Sequence, residues 1–530
     1  MTEERGVCSS GLPASVERSE FGFFDHSTGL LNCLVDCLDG FRPPDPLLSL
    51  NATPPSSPPP LPSSAKRMQE TIALYAAPAL HHMVSMVELG KLILHHRPQF
   101  TLTVLVASMP ATASAITSYI DRIYYETNLP ISFFHLPPVH LPESLQNQVD
   151  AAFEFMRLNI MGVRDALQSI SADCAVRALI TSAFHVPHHF LNIPTYCYFT
   201  SCASVLSFFL QLPAIHDQTS KSFGDSKDTL LHLPGLPTMR ASLLPEPLLD
   251  RNASAYRHFL DFARSLPKFH RLIANTFNLL EPDAVKAVAD GVCVPDGMTP
   301  PLYCIGSLIA DAKDRTIGSV ASLEASTMPV NECLSWLDLQ PRRSVVFLCF
   351  GSRGAFASAQ VREIALGLER SEQRFLWVVR NPPPSIATKP DLDHLLPQGF
   401  LERTRNKGLV MKSWAPQAAI LKHESVGGIR DSLWVELGVR SKQRMNAAIL
   451  VEKMKLAVPI SESIWSYEKG KEVEFIVSAE EVEKRVRQLI MEVNMRERSA
   501  EMKERGIAAW TEGGSSFLAL SEMVGSWKQG

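Results

Sequence analysis

His82 is a residue whose type and place in the chain could do acid–base chemistry. It follows the apolar run TIALYAAP, which predicts a short strand ended by Pro78. Behind it Met83, Met86 and Val87 recur at roughly helical spacing, so a helix is expected to begin near this histidine. An imidazole at such a junction can take the proton of a bound hydroxyl. The alternative interpretation is an ordinary polar residue at the start of a helix.

A second stretch with chemical potential spans residues 414–428, WAPQAAILKHESVGG. Trp414 closes the apolar run GLVMKSW, and Pro416 lies where a helix can begin without losing a hydrogen bond. The glycine pair at the end suits a backbone that only glycine tolerates. A strand-to-helix junction directs backbone N–H groups and a helix N-terminus at one place, so the stretch predicts a phosphate-binding site.

The order of elements predicts how these residues are positioned. From Met68 the pattern is strand, helix, and then the strand FTLTVLVAS, which indicates a right-handed crossover and a parallel sheet. The same alternation returns after about residue 340, with the strands SVVFLCFGS, RFLWVVR and GLVMKSW and a helix over 358–370. The sequence therefore predicts an α/β protein of two doubly wound domains. Its default ligand site is the cleft at the carboxyl ends of the strands.

Changes in composition predict the domain boundaries. Residues 1–67 contain the tract NATPPSSPPPLPSS, which cannot pack a core, and they are interpreted as a disordered or wrongly included leader. An N-terminal domain is predicted at 68–315 and a C-terminal domain at 341–505. The stretch between them is rich in Ser, Thr and Asp, and its residues 316–340 are predicted as an irregular linker.

Composition and charge restrict the possible partners. The chain has 530 residues, 45% of them hydrophobic, and a net charge of −4, so nothing indicates affinity for nucleic acid. No secretory signal opens the chain, and its ten cysteines form no C-x-x-C pair, which fits reduced thiols in the cytoplasm. The apolar segment 196–212 can be interpreted either as a membrane span or as a buried strand and helix. Its length and its serines favour the buried strand and helix, without stable membrane insertion.

No metal site is predicted. The histidines at 185, 188 and 189 are close in sequence, but no cysteine or carboxylate accompanies them at a usual metal-ligand spacing.

The residues around His82 and the stretch 414–428 together resemble plant family 1 UDP-dependent glycosyltransferases. The stretch matches the opening of that family's signature box, W-A-P-Q followed by V-G-G. Pro78 and residues 85–91 match its P-x-x-G-H-x-x-S-M-V-E-L-G-K, although His81 stands where the family has a glycine. The match is to the branch that acts on flavonoids, anthocyanidins and chalcones.

This resemblance covers about residues 68–530, with gaps, and implies a fold and an activity. The fold is GT-B, in which two Rossmann-like domains face a cleft, and residues 506–530 form a C-terminal helix that returns to the N-terminal domain. The activity is the inverting transfer of a sugar, usually glucose, from a UDP-sugar to a hydroxyl of a small phenolic acceptor. The family mechanism needs no metal or other cofactor, and we expect the protein to be a monomer.

The same resemblance assigns the site residues. His82 is the base, and the donor contacts are Ser352, Trp414, Ala415, Gln417 and Gln443. Trp414 would stack on uracil, and Ser352 would contact the diphosphate. The alternatives are a core tryptophan and a plain turn after a strand.

Two departures from the family pattern favour a different hypothesis. The family aspartate that orients the base histidine precedes T-S-A, but here Ala178-Leu179-Ile180 runs directly into that motif without an acid. After Gly428 the family text F-V-T-H-C-G-W-N-S is replaced by IRDSLWVELGVRS, and Lys442 stands beside Gln443 in place of an acid.

A shift of the reading frame explains the second departure. When the family text, continued as F-V-T-H-C-G-W-N-S-V-L-E-A, is written in suitable synonymous codons and one nucleotide is added in front, it translates as the sequence of residues 429–441, so a one-nucleotide frameshift is our hypothesis for this departure. The competing hypothesis is therefore a catalytically impaired or inactive relative, arising from a pseudogene or a faulty gene model. A third alternative is an interaction scaffold based on the proline-rich tract.

Overall fold

The computed structural model describes most of the chain from Met68 onward. The described residues are 68–110, 112–142, 145, 148–182, 192–226, 228–306, 308, 328–350, 356–382, 389–412, 415–426, 445, 448–458, 465–468, 471–474 and 476–529. The predicted leader at 1–67 lies outside them, as do the histidines at 185, 188 and 189.

Strands and helices alternate along this part of the chain. The strands are β1 (Gln69–Tyr75), β2 (Thr101–Val106), β3 (Ile131–His135), β4 (Cys174–Thr181), β5 (Thr195–Phe199), β6 (Leu230–Leu231), β7 (Met239–Arg240), β8 (Arg271–Ala274), β9 (Leu302–Cys304), β10 (Val345–Leu348), β11 (Arg374–Val379), β12 (Gly408–Lys412), β13 (Trp465–Glu468) and β14 (Lys471–Glu474). The helices are α1 (Leu80–His96), α2 (Ala113–Glu126), α3 (Gln148–Leu158), α4 (Ile160–Asp173), α5 (Ala203–Gln218), α6 (Ser254–Ser265), α7 (Pro282–Ala289), α8 (Met328–Asp338), α9 (Ser358–Ser371), α10 (Leu392–Leu395), α11 (Phe400–Thr404), α12 (Gln417–Lys422), α13 (Ala479–Met491), α14 (Val493–Trp510) and α15 (Ser515–Gly525). Shorter 3₁₀ helices lie at Ala241–Leu243, Glu246–Leu248, Leu266–Lys268 and Ser526–Gln529, and a π-helical turn spans Ile449–Met454.

The N-terminal part contains a parallel sheet in the strand order β3-β2-β1-β4-β5-β8-β9. Side chains of β1, an interior strand of this sheet, alternate between two hydrophobic cores. Ala73 and Tyr75 belong to one core, whereas Ile72 and Leu74 belong to the other. Helices therefore cover both faces of the sheet, which is the doubly wound arrangement predicted from the alternating pattern.

The C-terminal part repeats this plan around β10, β11 and β12, which pair in parallel in that order. Val345 of β10 also forms a parallel bridge to Val426, on the side away from β11. Later parts of the chain thus lie on both sides of β10, with β11 on one side and Val426 on the other. The carboxyl end of β10 is therefore a topological switch point, where ligands of such sheets bind. Val346 and Val345 face different cores, and this sheet too is covered on both faces.

The region predicted as an irregular linker, 316–340, contains helix α8 at Met328–Asp338. Cys333 and Leu337 lie one helical turn apart, both are fully buried, and they pack in the same core as Val345 and Phe347 of β10. The expectation of irregular chain was wrong here because the Ser, Thr and Asp residues that precede α8 dominated the interpretation, although apolar residues recur at helical spacing within α8 itself. The domain boundaries themselves stay predictions.

The apolar segment 196–212 forms part of β5 and of α5, and both are buried inside the N-terminal part. The expectation of a buried strand and helix is therefore confirmed. In the part of the chain that the structure describes, no helix has both the length and the apolar character needed to span a bilayer.

The C-terminal segment packs against the N-terminal sheet. The indole N–H of Trp510 donates to the carbonyl of Gly306 at 2.7 Å, and the hydroxyl of Ser516 donates to the same carbonyl at 3.1 Å. Met523, Val524 and Trp527 are buried in the core that also holds Ile72 and Leu74. The end of α14, all of α15 and Trp527 thus cover one face of the first domain, while the boundary at residue 506 stays a prediction.

Candidate active site

His82 lies in the first turn of α1, just beyond the carboxyl end of β1, and is only 4% exposed. Hydrogen bonds hold the backbone that precedes His82 in place. The amide of Ala77 donates to the hydroxyl of Ser182 at 3.1 Å, and the amide of His82 donates to the carbonyl of Ala79 at 3.1 Å. Ser182 follows β4, the neighbour of β1, so adjacent strand ends hold this turn at the edge of the sheet.

The Nδ1 atom of His82 lies 3.5 Å from the hydroxyl oxygen of Thr200, which directly follows β5. The tautomer that carries its proton on Nδ1 donates to this hydroxyl and leaves the lone pair on Nε2. This arrangement can present Nε2 to the proton of a substrate hydroxyl. On its other side the ring of His82 lies 4.6 Å from that of His81, between ring centroids.

Helix α1 is also fixed against β5 farther along. The hydroxyl groups of Ser85 and Tyr198 lie 2.7 Å apart, and burial raises the pKa of Tyr198 well above its ordinary value. Tyr198 therefore stays a neutral hydrogen-bonding partner at any physiological pH. Two side-chain contacts, one turn apart, thus set the position of the base relative to β5.

In the C-terminal part, Ala415 and Gln417 lie where β12 passes into α12. Ala415 is 3% exposed and its carbonyl accepts from the amide of Gln417 at 2.9 Å. The side-chain amide of Gln417 donates to the sulfur of Cys349, which follows β10, at 2.6 Å. The carboxyl ends of β10 and β12 are thereby brought together beside the switch point.

Arg380 adds a cation to this edge of the C-terminal sheet. It directly follows β11, and burial lowers the pKa of its guanidinium, with the nearby Cys349 acting in the opposite direction. A half-buried arginine at the carboxyl ends of parallel strands is suited to an anionic ligand such as a diphosphate. Sequence reasoning missed Arg380, because the run RFLWVVR was interpreted only as a strand.

The predicted site residues fall into two groups. His82 belongs to the N-terminal sheet edge, and Ala415 with Gln417 belongs to the C-terminal one. Ser352, Trp414 and Gln443 lie outside the described residues, as does the altered stretch 429–441. Their roles stay predictions.

The segment without the expected aspartate is the interior of β4. Ala178, Leu179 and Ile180 are fully buried and pair with β1. The hydroxyl of Thr200, which follows β5, is a contact of Nδ1 of His82. Sequence reasoning did not find this contact, since it joins residues 118 positions apart.

The described part of the chain contains no group of three or more metal-ligating side chains. Its cysteines are thiols. Burial raises the pKa of the Cys197 thiol to about 12 and that of Cys293 to about 11, so these cysteines are not reactive at neutral pH.

Several known proteins are similar to this chain in sequence. No model of a known protein family matches the chain. A UDP-glycosyltransferase of Pyrus communis is 44% identical over 497 residues, covering 87% of this chain and all of that protein. The phloretin 2'-O-glucosyltransferase of Malus domestica is 43% identical at the same coverage. The anthocyanidin 5,3-O-glucosyltransferase of a Rosa hybrid cultivar is 38% identical, with 87% and 99% covered.

These alignments also contain gaps on the side of this chain. The 497 aligned positions exceed 87% of 530 residues, so the Pyrus relative has segments that this chain lacks.

Solved structures of other plant transferases also resemble this chain. The transferase UGT2 of Phytolacca americana, without ligands, superposes with a TM-score of 0.73 at 28% identity, covering 87% of this chain and all of that one. Its complex with UDP-2-fluoro-glucose and pterostilbene gives a TM-score of 0.71 at the same identity and coverage. A transferase of Siraitia grosvenorii bound to UDP gives 0.73 at 27% identity, again over 87% and 100% of the two chains.

Proposed function

The chain belongs to the plant UDP-glycosyltransferases and has their GT-B fold, and we propose that it transfers glucose from UDP-glucose to a phenolic hydroxyl with His82 as the base. The observation that carries the role of His82 is its position. It is buried at the carboxyl end of the first strand, with Nδ1 turned to the hydroxyl of Thr200. A histidine held in this way can offer Nε2 to an acceptor.

The proposed reaction is a single displacement. Nε2 of His82 takes the proton of the acceptor hydroxyl, and the acceptor oxygen forms a bond to the anomeric carbon of the sugar. The bond between that carbon and the diphosphate oxygen breaks, and UDP leaves with the electron pair, so the configuration at the anomeric carbon is inverted. The reaction then needs a buried base on one side and a site that holds the leaving diphosphate on the other.

The donor side is proposed for the edge of the C-terminal sheet. Ala415 and Gln417 would hold the nucleoside, and Ser352, Trp414 and Gln443 are carried over from the family motif. Arg380 at the end of β11 would stabilise the charge of the leaving diphosphate. No metal is part of the proposed mechanism.

The proposed acceptors are flat phenols. Phloretin and anthocyanidins are named as acceptors of relatives, and pterostilbene is bound in a similar structure. We extend this substrate class to the present chain, and we expect it to act as a monomer in the cytoplasm.

The altered stretch 429–441 and the segments that relatives have in addition favour a second candidate, a relative that still binds UDP but no longer transfers sugar. Incubation of the full chain with UDP-glucose and a panel of phloretin, an anthocyanidin and pterostilbene separates the two, when combined with calorimetric titration of UDP. Glucoside formation detected by mass spectrometry supports transfer. Binding of UDP without any glucoside supports the second candidate, and absence of both contradicts each of them.

The role of His82 is tested with a matched pair of variants. We expect H82Q to lower kcat by a factor on the order of one hundred to ten thousand, because the base is lost. H95Q, a substitution on the exposed end of the same helix, should leave kcat unchanged. Both variants should bind UDP as the parent chain does. Equal kcat values for H82Q and the parent chain would show that another group takes the proton.

A further inference from the structure

Glu281 is a buried carboxylate for which the proposed reaction has no direct use. It is 4% exposed and lies at the start of α7, where its carbonyl accepts from the amide of Val285 at 3.0 Å. Its side chain points toward the start of helix α5. One carboxylate oxygen accepts from the amide of Ala203 at 2.9 Å, and the other accepts from the amide of Ser204 at 3.0 Å.

These two amides are the first of helix α5. The residue in the N-cap position before α5, Cys202, supplies no side-chain cap. The first amides of a helix have no partner inside the helix, and a carboxylate in front of them is stabilised by the helix dipole. Glu281 thus caps a helix that begins 78 residues earlier in the chain. The hydroxyl of Thr276 donates to the same carboxylate at 2.7 Å.

The capped end of α5 is next to the candidate base. Only Thr200, Ser201 and Cys202 separate β5 from α5, and all are buried. Thr200 presents its hydroxyl to Nδ1 of His82 at 3.5 Å. The position of that hydroxyl is therefore set by β5 on one side and, on the other, by a helix end that Glu281 holds.

We propose that Glu281 is a positioning residue for sugar transfer, which fixes the turn at residues 200–202 so that Thr200 orients the imidazole of His82. This inference rests on the proposed function, since it gives Glu281 a purpose in that reaction. Glu281 itself is buried, so its effect on the reaction is indirect. Its carboxylate accepts from two amides and one hydroxyl, and the thiol of Cys202 also forms a hydrogen bond with it.

The test compares E281Q with a control that removes the same kind of contact elsewhere. Glu363 is a carboxylate on α9 that accepts from the amide of Ala479, the first residue of α13, at 2.6 Å. An amide side chain in either place puts its own N–H₂ among backbone donors, so both E281Q and E363Q should lower the melting temperature. Only E281Q should lower kcat, by a factor on the order of ten to one hundred, the cost of a misplaced catalytic group. Its KM for UDP-glucose should stay unchanged.

A double-mutant cycle shows whether Glu281 acts through Thr200. T200V removes the hydroxyl that faces His82 and keeps the shape of the side chain. The double variant E281Q/T200V should then be no slower than the slower single variant, because both changes remove one interaction. If the two losses in kcat multiply, or if E281Q leaves kcat unchanged, the proposal is overturned.

Two further measurements cover the remaining outcomes. If E281Q does not fold, T276V is measured in its place, because valine removes one hydrogen-bond donor to the carboxylate of Glu281 while keeping the volume of Thr276. An unchanged kcat for T276V then counts against the proposal. If the parent chain forms no glucoside, ¹⁵N NMR of the histidine rings reads the tautomer of His82, whose signal is assigned by its absence in H82Q. A change of that signal in E281Q but not in E363Q supports the positioning role, even where the proposed function has failed. An unchanged signal contradicts the role.

Discussion

The contact between His82 and Thr200 defines what this site can do at the level of single residues. A hydroxyl fixes the ring and selects its tautomer, but it carries no charge to stabilise the imidazolium that forms when the base takes a proton. A carboxylate would supply both effects, and loss of such a partner in a catalytic triad costs about ten-thousand-fold in rate. On this basis we expect sugar transfer with Thr200 as the contact of His82 to be slower than transfer with a carboxylate in that place.

The side chain of Gln417 gives a prediction for the donor site. Its amide is fixed by Cys349 at 2.6 Å, so it is held in one orientation before any ligand binds. We expect Q417A to raise the KM for UDP-glucose by a factor on the order of ten while kcat changes less, because an oriented binding contact is lost. Steady-state kinetics at saturating acceptor measures both constants.

A control for Gln417 is available in the same domain. Gln398 is exposed, and Q398A makes the same chemical change away from the strand ends. It should leave both constants unchanged. A fall in kcat for Q417A at constant KM would mean that Gln417 acts only in the transition state and not in donor binding.

His96 gives a prediction for the dependence of stability on pH. It lies at the end of α1, half-buried, with Nε2 3.1 Å from the hydroxyl of Ser521 on α15. Burial, and then the charge of Arg97, lowers the pKa of His96 below its ordinary value of 6.5. The unfolded chain therefore binds a proton more readily than the folded one, so this stabilisation is complete above about pH 6.5 and is lost as the pH falls through the folded pKa.

We therefore expect the melting temperature of H96Q to fall less between about pH 7.5 and pH 5.5 than that of the parent chain. Glutamine keeps a polar group for Ser521 but does not titrate. H95Q, which changes the exposed neighbour, should follow the parent curve. Parallel curves for all three proteins would exclude His96 as a source of acid sensitivity.

The candidate site residues that could be located from the sequence lie next to strands and helices with a clear hydrophobic pattern. His82 was placed correctly at the end of the first strand because an apolar run and a helical pattern meet there. Thr200 and Glu281 could not be paired with their partners, since these contacts span 118 and 78 positions and depend on which strands become neighbours. The order of strands is a property of the whole sheet and is not written in any local pattern.

At the scale of elements, the alternation of strands and helices was predictable because it repeats the hydrophobic pattern of a doubly wound sheet. Two details were not. Helix α8 follows a stretch rich in Ser, Thr and Asp, and this composition led to its interpretation as linker although α8 itself is largely apolar. The pairing of β1 with β4 shifts register between Thr71 and Ile72, and such an irregularity leaves no signal in the sequence.

The contact between α9 and α13 supports a prediction of its own. A Cβ atom added to Gly367 of α9 would lie 2.5 Å from the Cβ of Val482 and 2.7 Å from the carbonyl of Ala479, both on α13. Backbone and a fully buried valine cannot move aside easily. We expect G367A to cost about 1–3 kcal/mol in the free energy of unfolding, although alanine is the better helix former by about 1 kcal/mol.

Gly525, the last residue of α15, provides the comparison. A Cβ atom there meets nothing within 4 Å, so G525A should be neutral or slightly stabilising. Urea unfolding of both variants measures the difference. A G367A variant as stable as the parent chain would mean that the two helices can separate without cost.

At the scale of the whole molecule, contacts join the two parts of the chain in addition to the C-terminal segment. Lys453 forms an ion pair with Asp283 of α7 at 2.7 Å, and Ile449 and Leu450 are buried in a core of the first domain. The exposed ion pair contributes little by itself. Among these described contacts, the apolar ones of this segment and of α15 therefore contribute more than the ion pair does.

Trp527 is the residue where this dependence is best tested. It follows α15, is 4% exposed, and packs edge-on against Phe100 and Tyr196 of the N-terminal domain, with ring centroids 5.9 Å apart in each case. Replacing a buried tryptophan by alanine costs about 3–5 kcal/mol. We expect W527A to destabilise the N-terminal domain, although residue 527 is among the last of the chain.

Hydrogen exchange followed by mass spectrometry locates that loss. In W527A, exchange should become faster in peptides from β1 and β5, because the face that the C-terminal segment covers loses its packing, while β10 to β12 keep their protection. L518A, on the exposed side of α15, should exchange like the parent chain, since Leu518 is 54% exposed. Faster exchange confined to residues 515–529 would mean that the segment covers the first domain without stabilising it. Equal loss in both sheets would mean that the two domains unfold as one unit.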